Sequence, residues 1–95
     1  MTSKQIAYLK SQAMKIKPVL QVGKLGIHDN VITDIEQYLD AHELMKVSLL
    51  PNSDIDLTDF KALLASKNIT TVSKIGRTLI LYRFSKKLKE HVLEV

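Results

Sequence analysis

Apolar residues recur along this chain in two rhythms, every three to four positions and every second position, and the changes of rhythm predict the elements. Ile6, Leu9, Ala13 and Ile16 keep helical spacing behind Thr2-x-x-Gln5, a pattern whose hydroxyl and amide satisfy orphan backbone donors. They predict a first helix over roughly residues 3–15. Pro18 cannot continue it and biases Lys17 toward extended backbone, and Val19-Leu20-Gln21-Val22 predicts a strand ending at Gly23. A second helix begins near His28 to Asn30, where Asp29 and Asn30 can cap. Val31, Ile35, Leu39 and His42 line one face of it, with Asp34, Glu36, Gln37, Asp40 and Glu43 covering much of the rest. Met45, Val47 and Leu49 alternate with Lys46 and Ser48, the period of a half-buried strand.

Pro51-Asn52-Ser53-Asp54 breaks the chain, and acids at 54, 56 and 59 favour the start of a third helix with Leu57, Phe60, Leu63 and Leu64 as its buried stripe. Ile69 to Ile75 and Thr78 to Tyr82 then flank Gly76-Arg77, a two-residue turn with glycine in the first central position. The second arm is almost continuously apolar, as a central strand covered on both faces should be. The order α-β-α-β-α-β-β predicts an α/β class fold, two-layer or sandwich, around one sheet of four strands. With no repeat or linker, residues 1–84 read as a single domain. Residues 85–95 read as a basic tail in which Leu88 and Val92 support at most a short helix.

Ninety-five residues suffice for one modest core, and no apolar run approaches the roughly 18 residues that span a bilayer. The polar opening reads as a helix start rather than a secretory segment, so the cytoplasm is the expected location and no membrane partner is expected. Charge matters more by position than by its total of +4. Residues 1–28 carry five lysines and no acid, residues 29–59 eight acids against Lys46 alone, and residues 60–89 eight basic residues and no acid. If the two basic segments meet in the fold, the surface is bipolar and suits a polyanion.

The motif with chemistry is Gly23-Lys24-Leu25-Gly26, between the first strand and the second helix. Glycines allow close backbone approach, and the unpaired amides and dipole of a helix start attract an anion. Lys24 adds a mobile cation for a phosphate oxygen, while a carboxylate at Asp29 competes for the same dipole. The KH domain clamps nucleotide backbone with a Gly-x-x-Gly loop joining two helices. Here the loop follows a strand, so the device is KH-like without the KH fold.

Several blocks together resemble the CRM domain family in its bacterial stand-alone, YhbY-like form. They are Lys4-Gln5 with Leu9 and Ala13, Lys17-Pro18-Val19, Val22 to Gly26, Ile35-Glu36-Gln37, His42 to Val47, and Ile75 to Arg83. The resemblance covers nearly the whole chain and implies a fold similar to the C-terminal domain of bacterial initiation factor three. It implies a four-stranded mixed sheet, an exposed Gly-x-x-Gly loop and RNA binding. Bacterial relatives are linked to precursors of the large ribosomal subunit and plant relatives to group II intron splicing, so precursor ribosomal RNA is the expected partner. Phe84 departs from the family, which often continues Tyr-Arg with proline.

The expected RNA-binding residues are therefore Gly23, Lys24, Leu25 and Gly26, with Lys15, Lys17, Arg77, Arg83, Lys86 and Lys87 as a basic surround. Lys4, Lys10, Lys61, Lys67 and Lys89 are expected to be solvated surface, Phe60 and Tyr82 core, and base stacking by Tyr8 or Phe84 is the lesser reading. No catalytic residue, metal, cofactor or small-molecule substrate is expected. His28, His42 and His91 lack ligand spacing, cysteine is absent, and no phosphate-binding Walker loop or nucleophile elbow occurs. The competing reading is a protein-interaction adaptor that docks through the acidic second helix on a ribosomal protein or assembly factor.

Overall fold

The computed structural model describes residues 1–23, 29–51 and 56–93. Among the described residues, seven elements follow the predicted order: α1 (Ser3–Ala13), β1 (Leu20–Val22), α2 (Asp29–His42), β2 (Leu44–Leu49), α3 (Leu57–Ser66), β3 (Thr70–Ile75) and β4 (Thr78–Tyr82). The strands form one mixed sheet in the order β1-β2-β4-β3. β1 runs parallel to β2, pairing Leu20 with Val47 and Val22 with Leu49, while β2–β4 and β3–β4 are antiparallel.

Side-chain alternation along β2 and β4 builds two cores, one on each face of the sheet. Met45, Val47, Leu49, Leu79 and Leu81 face α2 and α3, meeting Ile32, Ile35 and Leu39 of the first and Phe60 and Leu64 of the second. Leu44, Ile80 and Tyr82 face the other way, against Leu9 and Ala13 of α1 and Leu93 of the C-terminal segment. The result is a sandwich, with β4 covered on both sides as its apolar run requires.

Local chemistry explains most element ends. Thr2 Oγ1 accepts the Gln5 N–H at 3.1 Å, and Gln5 Oε1 accepts the Thr2 N–H at 2.9 Å, completing the predicted capping box. Asp56 caps α3 by accepting from Thr58 and Asp59 N–H groups. Gly76 turns the hairpin at φ +60°, the left-handed value that its first turn position requires. β3 carries a bulge between Thr71 and Ser73, and Val72 packs against the α1-side core.

Three expectations are corrected. Leu63 is 37% exposed, because the buried stripe of α3 follows Phe60 and Leu64 four residues apart. His42 is exposed at the end of α2, and the apolar face of that helix uses Ile32 instead. Glu43, expected on the acidic surface, is fully buried.

Candidate functional site

Parallel pairing of β1 with β2 fixes where the glycine loop leaves the sheet. The Leu50 N–H donates to Val22 O at 2.9 Å, so Gly23 departs beside the end of β2. A Cβ at Gly23 would lie 3.0 Å from Leu50 Cδ1, a close approach that a larger residue would disturb. The Leu49 N–H donates to Arg77 O at 2.7 Å, which brings the β3–β4 turn to the same end of the sheet. Gly23 and the exposed Arg77, 54 positions apart, thus flank the end of β2 at one end of the sheet, with that strand between them. Lys24, Leu25 and Gly26 lie outside the described residues. So do Ile27 and His28, and α2 starts at Asp29.

The remaining basic candidates lie elsewhere. Lys15 and Lys17 are exposed in the connection between α1 and β1, at the opposite end of β1 from Gly23. Arg83 follows β4 at the far end of the sheet, where its N–H donates to Glu43 O. Its guanidinium lies against α2, donating to Glu36 Oε2 at 3.2 Å, Asp40 Oδ1 at 3.0 Å and the backbone oxygens of Glu36 and Lys67. Arg83 therefore joins the acidic helix to the end of α3 and does not extend the basic surface around the loop. Lys87 Nζ pairs with Asp40 Oδ2 at 3.2 Å while remaining largely exposed, and Lys86 is exposed. The Asp40 carboxyl is held below its ordinary value, first by the Lys87 hydrogen bond and then, against the opposing effect of burial, by Arg83.

The same end of the sheet holds the residue that the sequence pattern places wrongly. α2 passes into β2 through Glu43 alone, which takes a left-handed φ of 65°. Its Oε2 accepts the Ser85 N–H at 2.7 Å and meets His91 Nδ1 at 2.7 Å, and its Oε1 accepts the Val92 N–H at 2.8 Å. The segment expected as a tail is thereby held to the body, with Ser85 and Leu93 buried. Burial alone would push the Glu43 carboxyl up, but the hydrogen bonds from Ser85, His91 and Val92 outweigh it and hold the pKa down. Burial, and then the charge of Glu43, push the Tyr82 phenol up. A helix entering a strand through one residue that is neither glycine nor asparagine was the available signal for Glu43.

A protein-family comparison matches residues 1–83 to the CRS1 / YhbY (CRM) domain. The chain is 42% identical to the "Probable RNA-binding protein YqeI" of Bacillus subtilis, over 95% of both chains. It is 31% identical to a protein named "RNA-binding protein" of Haemophilus influenzae, over 94% of this chain and 91% of that one. Among solved structures, it superposes with a TM-score of 0.74 on the hypothetical protein SAV1595 of Staphylococcus aureus, a candidate RNA-binding protein. That pair shares 38% identity over 94% of each chain. The chain belongs to the CRS1 / YhbY (CRM) domain family.

Proposed function

We propose that this chain is a non-catalytic RNA-binding protein that grips phosphate backbone at the end of the sheet that carries both Gly23 and Arg77. The observation that carries this reading is the pair of hydrogen bonds, Leu50 to Val22 and Leu49 to Arg77, that sets Gly23 and an exposed arginine at the same end of the sheet, on either side of β2. A phosphate there would meet backbone amides of the loop, Lys24 and Arg77. Lys15, Lys17, Lys86 and Lys87 form outlying contacts, and Arg83 is committed to α2. The relatives named as RNA-binding proteins support RNA as the polyanion. The family resemblance supports precursor ribosomal RNA of the large subunit as the target, met in the cytoplasm.

Contact with about four to six phosphates gives a slope of log K against log salt near −3 to −5. Lys24→Glu and Arg77→Ala should each weaken binding, and Arg77→Ala should reduce the slope by roughly 0.7–0.9. Salt-independent binding, or a Lys24→Glu protein with wild-type affinity, would falsify the grip. Crosslinking in cells, with sequencing of the bound RNA, tests the ribosomal target: reads spread without enrichment on ribosomal RNA reject it. An adaptor role for α2 is less favoured, because Glu36 and Asp40 are occupied by Arg83 and Lys87.

A further inference from the structure

Two of the chain's five aromatic rings stand well into solvent, Tyr8 at 47% exposure and Phe84 at 44%. They are 76 positions apart, yet the fold brings both to His91. Phe84 stacks on the His91 ring with centroids 4.2 Å apart and planes 19° from parallel. His91, Val92 and Leu93 form one wall of a cleft of about 390 Å³. Lys4, Gln5 and Tyr8 of α1 form the other. Small-ligand sites run from roughly 300 to 1,000 Å³, so the cleft can hold one planar ring system.

The wall is built rather than incidental. His91 is stacked by Phe84 on its ring and fixed at Nδ1 by the buried Glu43, and the Val92 N–H is held by the same carboxylate. None of the six described lining residues is an acid, and Lys4 supplies a cation beside the exposed Tyr8 ring. Gln5 uses its Oε1 for the Thr2 N–H and retains amide N–H donors. An exposed aromatic face, a cation, an amide donor and an apolar floor suit a nucleobase with its adjoining phosphate. At the other end of the sheet, by contrast, none of Val22, Gly23, Leu49, Leu50 and Arg77 is aromatic, so these residues can hold phosphate without stacking on a base.

We infer that this cleft takes one unstacked base of a single-stranded stretch of bound RNA, stacked on Tyr8, with Lys4 on the neighbouring phosphate. The inference rests on the RNA-binding reading above and adds a second, base-holding contact to it. A duplex keeps its bases stacked and cannot use the cleft, so strand state becomes the discriminating variable.

The test measures equilibrium binding of the full chain to a mixed-sequence single-stranded RNA and to a duplex of equal length, over a salt series. Tyr8→Ala should weaken single-strand binding about 5- to 150-fold, the loss expected for one stacked base, with the salt slope unchanged. Its duplex affinity should match wild type, and Tyr8→Phe, which keeps the ring, should bind both probes as wild type does. A Tyr8→Ala protein that holds the single strand normally, while Lys24→Glu weakens both probes, overturns the cleft and leaves the phosphate grip standing. Equal loss on both probes also overturns it, because the contact would then not depend on a free base. A wild-type chain that binds neither RNA removes both readings.

Discussion

A buried carboxylate is tolerated only when its lone pairs are met, and Glu43 shows how much one residue can organise. It ends α2, turns the chain through a left-handed φ and collects two N–H groups and a ring nitrogen from residues 42 to 49 positions later. Glu43→Ala leaves those donors unmatched and should cost about 3–5 kcal/mol, read as a lower urea midpoint at unchanged m. Glu43→Gln keeps one acceptor and should cost clearly less. The carboxyl's pKa in the folded chain is depressed below its ordinary 4.5. Its contribution is therefore complete above that value and lost as pH falls through the folded one. As pH falls below that ordinary value, the wild-type chain should lose more stability than the non-titrating Glu43→Gln chain. Equal losses would show that other carboxylates, Asp40 among them, carry the acid sensitivity.

At the scale of elements, Arg83 does for two helices what Glu43 does for the C-terminal segment. Its fork reaches Glu36 and Asp40 on α2 and the carbonyl of Lys67 just beyond α3, tying both to the end of β4. The pairs are partly exposed, with 18% of the arginine side chain and about a third of each acid accessible, so solvent screens part of the attraction. Arg83→Ala should cost about 1–3 kcal/mol, a fall in Tm of roughly 5–20 °C for a domain of this size. Arg83→Lys should recover little, since an ammonium cannot span both carboxylates. The salt slope of RNA binding should stay at the wild-type value in both. A reduced slope would mean that this guanidinium reaches phosphate after all.

For the whole molecule, periodicity exposed the element order, the capping box, the hairpin turn and the central place of β4, because each depends on neighbours in sequence. It could not show which basic residues share a surface. Arg77 and Arg83 are six positions apart on one strand and its turn, and the strand carries them to opposite ends of the sheet. Glu43 looked like one more acid of an acidic helix, because the groups that bury it come from beyond β4. Residues 85–95 read as a basic tail for the same reason: Ser85 and Val92 gain partners only when the fold supplies a carboxylate. The Gly23–Gly26 loop was legible as a motif and Arg77 as a candidate at the hairpin turn, but that Arg83 lies at the other end of the sheet, against α2, was not.

The bulge in β3 bears on how copies of this chain behave in a crowd. A sheet's last strand offers unpaired backbone groups to any extended segment, and β3 is such a strand. The shift between Thr71 and Ser73 breaks the even spacing a docking strand would need, and exposed Lys74 follows within three residues. Lys74→Val on its own should raise concentration-dependent light scattering modestly. Deleting Val72 in the same chain should raise it further, because an uninterrupted, uncharged edge becomes a template for fibres.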